Sequence, residues 1–332
     1  MPTTPHKRLN LALQGGGAHG AFTWGCLERL LDEEDIEIGT ISGSSAGALN
    51  GAALATGFAH GGREGAKEWL RLLWTQVAQV GAPLAFLTLP LRKPGMGLWD
   101  DAMPLTSPYQ ANPLGMSPLR ALLASLIDVD ALRQADGPRL FVNAVNVRTA
   151  RTRVFEPPEM SIDALVASAC APLMFQGVEI DGAVYWDGSY GANPTLWPLY
   201  EGKRPYADIF MVELTPLHRG EVPTTAKNIL NRINEIASVN GLVAELRAID
   251  LLNRHAASAP IRLHVLSLPD EPDTPFLEPS IKRTVGLELF ESLRAAGHAA
   301  CDGWLAVNAR HIGVKSTADL RGKYLERQGD RA

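Results

Sequence analysis

With 332 residues and 46% hydrophobic content, the chain holds enough apolar material for a substantial buried core. Its 31 basic and 36 acidic residues leave a net charge of -5, which argues against the basic footprint of a nucleic-acid binder. The three cysteines, Cys26, Cys170 and Cys301, are odd in number and far apart, so they suggest neither a disulfide framework nor a CxxC metal site. They read as thiols of a reducing, cytoplasmic compartment.

The first residues lack the apolar stretch and small-residue cleavage site of a signal peptide, so no export is expected. Leu9 to Gln14 reads as a buried strand that stops at Gly15-Gly16-Gly17, and Ala18 to Leu31 then shows helical spacing. The acidic run Asp32 to Asp35 reads as a solvated helix end. Ile36 to Ser42 gives a second strand, and a helix from Gly47 to about Phe58 follows directly. From Gly81 to Ser117 the chain is rich in Pro, Gly and Met and has no clear period; a substrate-access flap and a disordered segment are both open readings. Its run APLAFLTLPL is half the length needed to span a bilayer, so membrane contact would be peripheral.

Leu140 to Val147 is a strongly β-forming run with Arg151 to Glu156 as its hairpin partner. Arg148, Arg151 and Arg153 near the turn suit either a solvated hairpin or lipid phosphate. Ser161 to Cys170 has helical spacing behind a Ser161 cap, and Val184 to Trp186 is a short extended piece before the turn Asp187-Gly188. Asp208 to Leu214 and Ile261 to Leu268 read as buried parallel strands, separated by a helix over 224–255. On that helix Ile229, Ile233, Ile236, Val243, Leu246 and Ile249 recur at three- and four-residue steps, which predicts a core-facing stripe. Leu287 to Val307 is the last full helix expected, and the charged tail 315–332 is expected to fray. The pattern fits one domain over 1–332: a motif-bearing core at 7–214, a helix-strand-helix part at 215–314, and the tail.

Two glycine motifs carry the chemistry. Gly15, Gly17 and Gly20 satisfy G-x-G-x-x-G between strand and helix, a context shared by dinucleotide turns and by oxyanion-binding turns. A dinucleotide site also wants an acid at the end of the second strand, and that strand ends in Ser42-Gly43-Ser44-Ser45 instead. Gly43-Ser44-Ser45-Ala46-Gly47 fits G-x-S-x-G, whose small flanking residues allow a strained elbow that exposes the middle serine; a tight packing turn is the plain alternative. A serine nucleophile needs a base. His218, His255, His264, His298 and His311 qualify by order, but none sits in a sharp glycine turn. Asp187 closes an extended piece and precedes Gly188-Ser189; on its residues alone an ordinary Asx turn is an equally open reading.

QGGGAHGAF from Gln14, SGSSAG from Ser42 and YWDGSYGANP from Tyr185 together resemble the signature of the patatin-like phospholipases, over roughly Lys7 to Leu214. The resemblance implies a three-layer α/β/α fold with a mostly parallel central sheet, and a lipid acyl hydrolase of phospholipase A type acting on phospholipid or another acyl-ester lipid. It implies a Ser45–Asp187 dyad without a catalytic histidine, an oxyanion hole from the amides of Gly15, Gly16 and Gly17, and motif positions His19, Gly20, Gly43, Ala46, Gly47 and Gly188. No cofactor and no metal are implied. Two positions depart from the family's pattern: His19 stands where Arg or Lys is usual, and Ser189 where a second glycine is common. An esterase, thioesterase or polyester depolymerase on the same dyad, and a catalytically idle lipid-binding module, are the rival readings.

Overall fold

In chain order the elements are β1 (Lys7–Leu13), α1 (Gly20–Leu31), β2 (Ile36–Gly43), α2 (Ala46–Thr88), α3 (Pro108–Ala111), α4 (Pro118–Leu126), α5 (Val129–Gln134), β3 (Arg139–Asn146), β4 (Thr152–Phe155), α6 (Ile162–Ser168), β5 (Val178–Ile180), β6 (Ala183–Asp187), β7 (Asp208–Glu213), α7 (Ala226–His255), β8 (Arg262–Ser267) and α8 (Leu287–Asn308). This computed structural model describes residues 7–88, 107–112, 115, 117–134, 137–201, 208–220, 222–255, 260–269 and 285–325.

The strands form one sheet in the order β5-β6-β3-β2-β1-β7-β8, with β4 paired to β3. The run β3-β2-β1-β7-β8 is parallel, and β4, β5 and β6 are the antiparallel members at one side. Strand alternation sends side chains to two separate cores. Leu9, Leu11 and Leu13 of β1 and Phe210 and Val212 of β7 enter one core, while Ala12, Ile209 and Met211 enter the other. Helices α1, α2 and α8 pack over the first face and α7 over the second, which gives the mixed α/β/α layering expected from the sequence. Among the described residues no helix is long and apolar enough to cross a membrane.

Several local expectations change. Helix α2 is broken at Gly61 and Gly62, the latter at φ +60, and its helical backbone runs to Thr88, so the first residues of the expected 81–117 excursion are helix. Most of the remaining flap expectation lies outside the described residues. Ser107 and Ser117 open the short helices α3 and α4 as N-caps, each followed by proline at the first helical position, a start signal readable in the sequence. The α7 stripe divides. Leu246 and Ile249 are buried as expected and Val243 is half-buried, with Leu242, outside the expected stripe, also buried; Ile229, Ile233 and Ile236 face solvent, because the first half of the helix turns its other side to the protein.

Residues 316–325 do not fray. The main chain of Thr317 and Ala318 donates to the Leu263 carbonyl, the Leu263 amide donates to Ser316 Oγ at 3.1 Å, and Tyr324 donates to the buried Glu213 at 2.7 Å. The acidic run after α1 is paired rather than merely solvated: Asp32 meets Lys67, Glu33 meets Arg29 and Asp35 meets Lys7. In the β3–β4 hairpin Arg153 is held by Asp181 and Glu159, the ordinary structural use of such a residue.

Candidate active site

The sheet order brings two distant turns together. β2 ends at Gly43 and α2 starts at Ala46, so Ser44 and Ser45 form the whole connection; Ser45 sits at φ +51, the left-handed region that a side chain adopts only under constraint. Ser168 Oγ accepts the Ser45 amide at 2.9 Å, and the Ser45 carbonyl accepts the amide of Leu49 in the first turn of α2. Ser44 is wholly buried, its hydroxyl set between Asn143 Oδ1 and the Ala192 carbonyl, which leaves Ser45 as the serine that lines a cavity.

Asp187 ends β6, two strands away from β2. Its amide donates to the Cys170 carbonyl, and its Oδ1 accepts the Ser189 amide at 2.8 Å, so it does form an Asx turn. Asp187 and Ser45 line the same cavity. Burial pushes the Asp187 carboxyl above its ordinary range, while the Ser189 amide and the hydroxyls of Ser45 and Ser189 pull the other way without cancelling the rise. The neighbouring Cys170 thiol is pushed up to about 12 by burial and by the Asp187 charge, so it stays protonated.

Asn143, in the middle of β3, spans the gap between the two turns. Its Oδ1 receives the Ser44 hydroxyl, and its Nδ2 donates to the carbonyls of Gly188 at 3.1 Å and Ala192 at 2.9 Å. Gly188 lies so close to β3 that an added Cβ would fall 2.1 Å from the Asn143 carbonyl oxygen. Asn193 plays a similar part for the glycine loop. It accepts the Gly15 amide at 2.6 Å and donates to the Gly15 carbonyl at 3.1 Å, the two-point pattern of one amide recognising another.

This contact revises the expected donor set, since the Gly15 amide is committed to Asn193. Among the described residues no hydrogen-bond partner takes the amides of Gly16 and Gly17, which line the same cavity as Ser45 and Asp187. Gly15 serves as a spacer: a Cβ there would meet Ser45 Cβ at 2.6 Å and Ser189 Oγ at 2.7 Å. His19 is fully buried and does not line the cavity; Gly20 packs on Ala46 and Trp74, and Gly43 and Gly47 lie against each other around the elbow. None of the five histidines considered as bases lines the cavity. His264 is buried elsewhere, between Asp208 at 2.9 Å and Thr317 at 3.0 Å.

The cavity measures about 380 Å³, within the roughly 300–1,000 Å³ usual for ligand pockets. One wall is apolar, with Leu73, Trp74, Val77, Leu119, Phe175 and Phe290. The other is polar and comes largely from α7, with Asn231, Asn234, Glu235 and Ser238 beside Thr215. Leu173 and Met174 line the cavity while about half of each lies in solvent, which marks its mouth. A hydroxyl and a desolvated carboxylate lining one cavity, beside two amides with no partner among the described residues and the N-terminus of a long helix, are the parts required for acyl transfer.

Comparison with known proteins adds the following. The sequence profile of the family described as "Patatin-like phospholipase" matches residues 11–200. Among solved structures, VipD from Legionella pneumophila is similar at 12% identity and a TM-score of 0.39, over 97% of this chain and 73% of that one. A chain of the heterodimeric ExoU–SpcU complex from the type III secretion system of Pseudomonas aeruginosa is similar at 19% identity and a TM-score of 0.35, over 92% of this chain and 53% of its own length. The chain thus spans about half the length of that second relative. No curated protein matches.

Proposed function

The chain belongs to the patatin-like phospholipase family, and from that membership we propose that it is a serine lipid acyl hydrolase in which Ser45 is the nucleophile and Asp187 its base. The observation that carries the reading is that Ser45, at φ +51 on its elbow, and the buried Asp187 line one cavity together with Gly16 and Gly17. Ser45 Oγ attacks the ester carbonyl carbon as its proton passes to Asp187. The carbonyl oxygen becomes an oxyanion held by the amides of Gly16 and Gly17, each worth about 3 kcal/mol in such sites. Collapse breaks the ester C–O bond, and the departing alkoxide takes the proton from Asp187. Water then attacks the acyl-enzyme, giving its proton to Asp187 and its oxygen to the released fatty acid, and Ser45 recovers its hydrogen.

The two walls suit an amphipathic substrate: an acyl chain against Trp74, Val77 and Phe290, and a polar group against α7. We read residues 1–332 as one domain, acting in the cytoplasm with peripheral contact to lipid. Fluorophosphonate labelling of the wild type, Ser45→Ala and Asp187→Asn, followed by lipid product analysis, tests the assignment. Label is expected on the wild type, none on Ser45→Ala, and a loss of turnover to background in Asp187→Asn. An unlabelled wild type would mark an idle lipid-binding module, and turnover confined to short nitrophenyl esters would mark an esterase.

A further inference from the structure

Ser189 stands where a second glycine is common, so its hydroxyl is a group that the family's pattern does not supply. The turn brings it to the reacting centre. Asp187 is the N-cap of a single turn, Gly188–Tyr190, and accepts the Ser189 amide on Oδ1 at 2.8 Å. Side chains in a helical turn lean back toward its N-terminus, so the side chain two positions after the cap leans toward the carboxylate it follows.

A second bearing comes from the glycine loop. The point at which a Gly15 Cβ would stand is 2.7 Å from Ser189 Oγ and 2.6 Å from Ser45 Cβ. Ser189, Ser45 and Asp187 all line the one cavity. The hydroxyl is therefore set beside both the nucleophile and the base, in the space that the absent Gly15 side chain leaves open. A carboxylate has lone pairs beyond the one that the Ser189 amide takes, and in a buried group each unfilled one is costly.

We infer that Ser189 is a positioning residue for the base, its hydroxyl donating to the Asp187 carboxylate and fixing the orientation in which that carboxylate meets Ser45. This rests on the lipid hydrolase reading and adds to it a side chain through which the chain tunes its own base. A donor to the charged form opposes burial, the same sense in which the Ser45 and Ser189 hydroxyls act on this carboxyl. Around Asp187, β3 presents the neutral Asn143, the elbow presents Ser44 and Ser45, and the segment after α6 presents the Cys170 thiol, which stays protonated. The same turn adds the Tyr190 phenol, and α7 adds Glu235 in the cavity wall, bonded to Arg219 and Arg232. Removing the Ser189 hydroxyl thus takes a donor from the carboxylate and alters no formal charge near it.

The test is the rate of fluorophosphonate labelling of Ser45 in the full chain as a function of pH, with circular dichroism read at each pH so that acid unfolding is seen separately. Ser189→Ala and Ser189→Gly are each expected to move the acid limb to higher pH by about half a unit or more, because burial of the base then meets less opposition. Ser189→Thr, which keeps a hydroxyl, is expected to stay near the wild type. A residue that only shapes the turn would scale the rate at every pH and leave the midpoint in place. The inference is overturned if the Ala and Gly variants keep the wild-type midpoint, or if Thr moves it as far as they do. A wild type that takes no label at any pH would remove the hydrolase reading instead, whereas a labelled wild type with an unmoved limb in the variants removes only the role of Ser189.

Discussion

Burial of Asp187 has two consequences of opposite sign. A base accepts a proton only when ionised, so a carboxyl held above its ordinary range places the acid limb of the kcat/KM profile above that of a solvated carboxylate. The same burial lowers stability. The unfolded chain ionises this group near the ordinary aspartate value, about 3.9, while the folded chain ionises it later, so stability falls as pH rises between the two values and stays lowered above the folded one. Asp187→Asn is therefore expected to be inactive yet to melt at a higher temperature than the wild type at neutral pH, with the gap closing below the ordinary carboxylate range. Thermal unfolding of both proteins across pH measures it; a variant equally or less stable at neutral pH would contradict the burial argument. The Asp-Gly turn reads equally as an ordinary Asx turn, and Asp187 was singled out only by the family resemblance, whereas the elbow around Ser45 leaves a local sequence pattern. Ser168, Asn143 and Asn193 left none as supports: each binds residues 45 or more positions away, such as Asn143 to Gly188 and Asn193 to Gly15, and no periodicity encodes that meeting.

At the scale of elements, the 3.6-residue period identified α7 as a helix but not which side it buries. Ile229, Ile233 and Ile236 read as core because apolar stripes usually are. The turn that sends Asn231 and Ser238 inward is fixed by tertiary bonds, including Asn193 to Ser238 at 2.8 Å. Seven of the eight described strands were read to within about two residues, since alternation and turn residues both mark them, whereas the three-residue β5 was not read. Contact between α1 and α8 was hidden for another reason: it depends on two glycines that look unremarkable in their own helices. A Cβ on Gly25 would lie 1.9 Å from the Arg294 carbonyl oxygen, and one on Gly297 would lie 2.0 Å from that of Phe22. The helices cross backbone to backbone there. Gly25→Ala is expected to destabilise the fold by about 1–3 kcal/mol through forced separation of the helices, despite alanine's better helix propensity. Denaturant unfolding measures it, and an unchanged midpoint would show that the crossing yields freely.

For the whole molecule, the strand-and-helix pattern gave an α/β unit with β7 and β8 as parallel strands, the three-layer arrangement came only with the family resemblance, and the docking of the segment after α8 on β8 was not foreseen. The last described residues, 316–325, pack Ala318, Leu320, Tyr324 and Leu325 on the second core and are tied further by Leu263, by Tyr324 on Glu213 and by Lys323 on Glu213 and Ser267, long-range bonds that hydrophobic patterning cannot foresee. β8 ends the sheet on one side, and the three-residue β5 ends it on the other. A border strand with free main-chain groups is a template on which another molecule can grow. By occupying both the amide and the carbonyl of Leu263, Ser316, Thr317 and Ala318 act as a stopper. A chain ending at Lys315 is accordingly expected to retain its catalytic turns but to self-associate on warming, earlier and in proportion to concentration by light scattering. Ten residues distant from the chemistry would thus set how crowded a solution the enzyme can tolerate.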